Sequence, residues 1–248
     1  MSMSSVVVVP TYNELENLPE LVERVMELPD FSLLVVDDHS PDGTGELAEE
    51  LRGRFPGRMR VLHRPGKLGL GTAYLEGFRA ALRLGHRWLF QMDADFSHDP
   101  AELPRLQAEL ERGADLVIGS RYAPGGATQG WPLWRLAMSR GGSMYARMVL
   151  GLPIRDLTGG YRGWRREALL DISLDRVRSE GYSFQVEMAC RCARAGKRVV
   201  EIPIRFVERR SGASKMSRAI FLEAVVTVWR LWLEEVRLPR PPRAAIGR

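Results

Sequence analysis

Along the first half of the chain, short apolar runs alternate with longer stretches whose apolar residues recur at helical spacing. Residues 5–9 are continuously apolar after a serine and end at Pro10, the pattern of a strand buried on both faces. Over residues 14–28, Leu15, Leu18, Leu21, Val22 and Val25 mark one face of a helix. The alternation continues with strands predicted at 33–36, 59–62, 88–91 and 116–118. Helices are predicted between them at 42–51, 72–84 and 101–111, with Thr44 a candidate cap for the first. Strands joined through single helices imply right-handed crossovers and a mostly parallel, Rossmann-like sheet flanked by helices, an α/β fold.

From Tyr122 the pattern changes. Residues 123–129 are Gly-rich and polar and are expected to form a mobile loop. A helix with little strict periodicity is predicted at 133–150, strands at 157–163 and 198–207, and a helix at 184–195. In the segment 218–237 the polar residues Glu223, Thr227, Arg230, Glu234 and Arg237 follow one another at steps of 4, 3, 4 and 3. They form one narrow stripe on a helix that is otherwise apolar and carries Phe221, Trp229 and Trp232, so most of its circumference must be buried in protein or lipid. Residues 238–248 contain Pro239, Pro241, Pro242, Arg240, Arg243 and Arg248 with no acid, and are read as a disordered basic tail. With no internal repeat and no linker, the expected organisation is a main domain over 1–217 followed by an amphipathic helix and tail over 218–248.

Composition narrows the picture. A chain of 248 residues with 45% apolar and 27% charged residues can bury a sizeable core, which excludes disorder, collagen and coiled coil. Cys190 and Cys192 sit too close for an ordinary bridge, and with four scattered histidines they offer no zinc site. Residues 6–9 are too short for a signal-peptide core, and no window of 18 residues is free of charge. A cytoplasmic protein without a membrane-spanning helix is expected. The net charge is +5, carried by 33 Arg and only 3 Lys. Arginine suits two-pronged grip on phosphate and carboxylate, although most of the excess is read as the mark of a GC-rich genome. Charge is the only hint of nucleic acid; aromatic-basic interleaving and any known binding motif are missing, so no nucleic-acid partner is expected.

In open parallel sheets, ligands bind beyond the carboxyl ends of the strands. Four of the predicted strand ends are polar: Pro10-Thr11-Tyr12-Asn13-Glu14, Asp37-Asp38-His39-Ser40, Asp93-Ala94-Asp95 and Gly119-Ser120-Arg121. The two carboxylates of Asp93 and Asp95 offer hard oxygen ligands for Mg2+ or Mn2+, ions that join protein carboxylates to diphosphate oxygens. A helix cap accounts for Asp99 before Pro100 but not for Asp93, which follows an apolar strand. The glycines at 66, 69 and 71 have the wrong spacing for a dinucleotide turn or a P-loop. They fit a plain turn at a helix start as well as direct phosphate contact.

These segments, together with Ser40-Pro41-Asp42-Gly43-Thr44, Phe96-Ser97-His98, Tyr122 and Thr158-Gly159-Gly160-Tyr161-Arg162, resemble the inverting glycosyltransferases of family 2, and within it the dolichyl-phosphate mannose synthase branch. The match runs in order from Val6 to about Met216. The resemblance implies a glycosyltransferase-A fold and transfer of mannose from GDP-mannose to a polyprenyl phosphate, with Mg2+ or Mn2+ as cofactor. A UDP-glucose-dependent transferase is the alternative. By position, Pro10, Tyr12, Glu14, Asp37, Asp38, Asp93 and Ala94 would hold the nucleotide sugar, and Asp93 and Asp95 the metal. Arg121, Arg135 and Ser139 would hold the acceptor phosphate, with Asp95, Arg121, Arg209 and Lys215 at the reacting groups. Asp156 and Gln185 fall in matching segments without a definite role. Where some members place a metal-ligating Gln two residues after the second Asp, this chain has Ser97, a poorer ligand. The expected setting is peripheral, at the cytoplasmic face of a membrane, reached through the membrane surface itself or a small membrane subunit.

Overall fold

The computed structural model describes residues 4–208 and 218–237, and in the last helix the side chains over 225–234. Arg209, Lys215 and most of the basic loop at 205–215 lie outside the described residues, as does the tail 238–248.

The valine run explains the centre of the fold. In strand β1 (Ser5–Thr11), Val6 and Val8 face one core and Val7 and Val9 face another. Both sides of the strand are therefore buried, and the run needs no polar alternation. β1 pairs in parallel with β2 (Phe31–Asp37) and β4 (Trp88–Gln91), and β2 pairs in parallel with β3 (Met59–His63). Beyond β4 lies β7 (Arg162–Arg165), antiparallel to β4 and to β5 (Leu116–Ser120), and β5 pairs in parallel with β8 (Val199–Pro203). The seven-stranded order is β3-β2-β1-β4-β7-β5-β8. A second, two-stranded sheet joins β6 (Ala127–Gln129) to β9 (Arg205–Val207).

Helices α1 (Leu18–Met26), α2 (Thr44–Arg54) and α4 (Leu103–Glu111) cover one face of the large sheet. The other face is covered by α3 (Leu70–Arg83), α5 (Leu133–Leu150), α7 (Gly181–Arg194) and α8 (Arg218–Arg237), with α6 (Arg166–Asp171) after β7. Val228 and Leu231 carry α8 into that second core.

The expected mostly parallel α/β sheet is present, and the helices at 133–150 and 218–237 have the expected bounds. Several local readings are corrected. Gly43, in the left-handed region at φ 91°, holds the N-cap position of α2, and Asp42 Oδ1 accepts from Thr44 N at 3.0 Å. The hydroxyl of Thr44 instead accepts from the Glu14 amide at 2.9 Å, so Thr44 ties α2 to the end of β1. The strand expected at 157–163 forms only from Arg162, because Thr158 to Tyr161 make the loop that passes the site. The strand at 198–207 breaks at Ile204, and the loop at 123–129 ends in β6.

Candidate active site

Since β4 and β5 both run antiparallel to β7, their carboxyl ends lie at one edge of the sheet. Asp93 and Asp95 follow β4, and Arg121 follows β5. Three of the loops leaving this edge carry a non-glycine residue in the left-handed region: Asn13 at φ 60°, His39 at φ 56° and Phe96 at φ 59°. Each such residue costs on the order of 1 kcal/mol, strain that is commonly concentrated at working sites.

Asp37 braces the loops after β1 and β2. Its Oδ1 accepts from Thr11 Oγ1 at 3.1 Å and Ser40 Oγ at 2.6 Å, and its Oδ2 from Ser40 N at 3.1 Å. Asp38 meets the fully buried guanidinium of Arg64 at 2.5 Å. Burial raises the Asp38 carboxyl above its ordinary value, with Arg64 pulling the other way. Both aspartates thus have structural bonds at the positions expected to face a nucleotide. Lys67 lies over the ring of Tyr12 at 3.8 Å, bringing a cation to the end of β1 beside half-buried Pro10. Glu14 accepts from Asn17 Nδ2 at 2.8 Å. At the glycine run, Gly71 N donates to Glu180 Oε2 at 2.9 Å, so that carboxylate covers an amide that sequence left open to phosphate.

Next to them stand the paired carboxylates. Tyr74, stacked on Phe184, donates its buried hydroxyl to Asp93 Oδ1 at 2.9 Å. Asp95 Oδ1 accepts from Ser97 N at 3.0 Å. The Asp93 amide donates to His98 Nδ1 at 3.2 Å, which leaves the proton of the neutral ring on Nε2. Burial lowers the His98 pKa, against the pull of Asp93. Ser97 Oγ and His98 Nε2 are buried and have no hydrogen-bond partner among the described residues. Ala94 is buried between the two aspartates. No group of three or more His, Cys, Asp or Glu side chains able to hold a metal occurs among the described residues. Two half-buried carboxylates with an unpartnered hydroxyl beside them nevertheless fit a hard cation whose remaining ligands are water and phosphate.

On the β5 side, Arg121 makes a two-pronged pair with Asp156, Nε to Oδ2 at 2.8 Å and Nη2 to Oδ1 at 2.6 Å. Nη2 also donates to Thr158 Oγ1 at 2.8 Å. Burial alone would raise the Asp156 carboxyl; the Arg121 charge and its hydrogen bonds reverse this and hold it below the ordinary value. Arg135 donates to Glu208 at 2.8 Å and lies 4.2 Å from the Trp131 ring centroid, while the Arg121 guanidinium lies 5.3 Å from the same ring. Ser139 accepts from the Tyr122 hydroxyl at 2.7 Å. Arg121, Arg135 and Ser139 therefore converge on Trp131 and Tyr122. Trp131 Nε1 and Arg135 Nε are buried donors without an acceptor among the described residues.

Sequence reasoning did not assign Arg64, Lys67, Tyr74 or Trp131 to the site, and it gave Asp156 no role. Lys67 alone carried a signal, as one of three lysines in a chain of arginines.

A doubly flanked, mostly parallel sheet with an Asp-x-Asp at one strand end and strained loops around it is the architecture of a glycosyltransferase-A enzyme. The family profile described as Glycosyl transferase family 2 matches residues 6–173, and the chain belongs to that family. It is 51% identical over 225 residues to the polyprenol monophosphomannose synthase of Mycolicibacterium smegmatis, covering 90% of this chain and 85% of that one. It is 52% identical over 229 residues to the undecaprenyl-phosphate mannosyltransferase of Micrococcus luteus, covering 92% of this chain and 93% of that one. Among solved structures, a mannosyltransferase from Pyrobaculum calidifontis in complex with GDP-Man and Mn2+ shares the fold, with a TM-score of 0.62 at 18% identity. That alignment covers 96% of this chain and spans 66% of the other.

Proposed function

We propose that the protein transfers mannose from GDP-mannose to a polyprenyl phosphate with inversion, releasing GDP and forming polyprenyl-phosphate mannose. One observation carries the reading. A carboxylate pair suited to a cation and diphosphate shares a sheet edge with a cationic cluster holding unpartnered buried donors. The names of the two relatives, each sharing about half its residues with this chain, supply the sugar and the lipid class.

In this reading Asp93 and Asp95 hold Mg2+ or Mn2+, which when bound neutralises charge on the leaving diphosphate. Pro10, Tyr12, Glu14 and Ala94 line the nucleotide side, and Asp37 and Asp38 fix the loops that shape it. The acceptor needs no catalytic base, since a phosphate monoester has a second pKa of about 6 and is already anionic at neutral pH. Its oxygen attacks the anomeric carbon opposite the diphosphate. The bond from that carbon to the diphosphate oxygen breaks, and its electron pair leaves with GDP. Trp131 Nε1, Arg135 and Ser139 grip the incoming phosphate, with Arg121 held in place by Asp156. Arg209 and Lys215, outside the described residues, complete that grip. Fixed cationic donors orient the nucleophile without consuming its charge.

A lipid acceptor requires a surface. Among the described residues no helix is long and apolar enough to cross a membrane. On α8 part of the polar stripe meets the protein: Arg230 reaches Glu187 at 3.1 Å, and Glu234 reaches Arg191 at 3.7 Å. Val226, Trp229 and Leu233 are left exposed. Neighbouring α5 exposes Leu133, Trp134, Met144 and Met148, and its sequence has three arginines and no acid. Apolar side chains flanked by arginine suit peripheral docking on an anionic bilayer at the cytoplasmic face.

The test is incubation with a panel of labelled sugar nucleotides and polyprenyl phosphate, followed by extraction into organic solvent. Label from GDP-mannose should enter the solvent phase in a Mg2+- or Mn2+-dependent way. Extraction of label from UDP-glucose instead would overturn the assignment of donor.

A further inference from the structure

The unassigned glutamine, Gln185, sits in a chain of hydrogen bonds whose direction is fixed from the far end. Trp164 is fully buried and its indole nitrogen can only donate, here to Gln91 Oε1 at 3.0 Å. The other end of the Gln91 amide must then be nitrogen, and it donates to Gln185 Oε1 at 2.9 Å. That leaves Nε2 as the free end of the Gln185 amide. No acceptor for it occurs among the described residues, although the residue is only 3% exposed. A donor-only group in the core thus decides, through Gln91, which atom Gln185 presents.

The place it faces is marked by Gly160. A Cβ added at Gly160 would lie 3.6 Å from Gln185 Nε2, 3.6 Å from Asp93 Oδ2 and 3.5 Å from His98 Cε1. Three elements therefore converge on one point, and the missing side chain keeps that point open. Tyr74 holds Asp93 Oδ1, and Oδ2 borders the same point. A donor, Nε2–H, and an acceptor, Oδ2, border the same space.

We propose that Gln185 is a sugar-binding residue, donating through Nε2 to a hydroxyl of the hexose carried by the nucleotide. A hydroxyl both accepts and donates, so it can accept from Nε2 and turn its own proton towards the Asp93 carboxylate. Gln91 and Trp164 act as positioning residues, and Gly160 supplies the room. The assignment rests on the nucleotide-sugar reading above and extends it to a specificity-determining contact.

The experiment compares two ligands on the same protein by calorimetry: the nucleoside diphosphate alone and the matching nucleotide sugar. Wild type is first titrated with a panel of nucleotide sugars, and the one it binds is used throughout. If that is not GDP-mannose, the donor assignment fails while this inference remains testable with the sugar found. Gln185→Glu keeps the acceptor for Gln91 but turns an oxygen towards Asp93. It should weaken nucleotide-sugar binding about tenfold, the scale of one lost hydrogen bond to a buried group, and leave the diphosphate within twofold. Gly160→Ala adds a methyl group at ordinary contact distances, so the fold survives; it should block the sugar and spare the diphosphate. Retained diphosphate affinity reports that each variant is folded. Equal weakening of both ligands, or unchanged sugar binding in Gly160→Ala, would overturn the proposal.

Discussion

Arg121 and Asp156, 35 positions apart, close a buried two-pronged ion pair in which the Arg121 backbone amide also donates to Oδ2, at 2.9 Å. The pair ties the end of β5 to the loop before β7, the two segments that border the site between β4 and β5. Its effect on the chemistry is indirect. Asp156 fixes the guanidinium of Arg121 against the rings of Tyr122, Trp131 and Phe206.

Removing one partner leaves a buried charge uncompensated. Asp156→Asn should therefore cost roughly 3–5 kcal/mol at pH 7. The folded Asp156 carboxyl lies below its ordinary value of 3.8, so its contribution is present above that value and is lost as pH falls through the folded one. Urea denaturation of wild type and variant should give a constant gap from about pH 5 to 8 that narrows in stronger acid. A gap that widens on acidification would contradict the pairing.

Asp95→Asn tests the metal. An asparagine oxygen can still accept from the Ser97 amide, so the local turn survives, but the charge proposed to hold a divalent cation is gone. Mn2+ titration followed by paramagnetic resonance should show lost binding at an unchanged melting temperature. Turnover should fall by about 100-fold or more, as expected when several kcal/mol of charge stabilisation is removed. Full activity in the variant, or in wild type with excess EDTA, would remove the carboxylates from the reaction.

The acceptor end is separable from the donor end. Trp131→Phe keeps an aromatic face for Arg135 but deletes the buried Nε1 donor. It should raise the KM for polyprenyl phosphate about tenfold or more, the loss of one hydrogen bond to a charged group, at nearly constant affinity for GDP. An equal effect on GDP would place Trp131 in the nucleotide pocket.

What the sequence revealed follows from the range of the forces involved. β1 was legible because both its faces are buried, and α5 and α8 because their lengths are set by local punctuation and periodicity. The place of Asp93 and Asp95 at a strand end was legible because the apolar run of β4 stops just before them. The antiparallel course of β7 was not, since strand direction depends on partners far along the chain. Nor was the Arg121–Asp156 pair, or the amide polarity that Trp164 imposes on Gln185, because each joins segments with no shared local pattern. On α8 periodicity gave the stripe but not its direction. The buried carboxylate of Glu187, bonded to Ser179, Arg191 and Arg230, draws Arg230 of that stripe towards the protein.

That helix carries the last prediction. With Thr227, Val228 and Leu231 buried and Arg230 held by Glu187, the outward face of α8 presents Val226, Trp229 and Leu233, at 66%, 48% and 50% exposure. α5 continues the surface with Met144 and Met148, at 59% and 67%. Burying one such side chain is worth about 1.5–3 kcal/mol, so a few of them suffice for reversible attachment. The triple variant Met144→Glu, Met148→Glu and Trp229→Glu changes only exposed positions and should leave the melting temperature within a few degrees. It should reduce co-sedimentation with anionic phosphatidylglycerol vesicles at least about tenfold, since each carboxylate both removes apolar area and repels the surface. GDP binding should persist. Vesicle binding by the triple variant equal to wild type would place the docking surface elsewhere. Wild type that ignores anionic vesicles altogether would make a small membrane subunit the means of reaching the lipid.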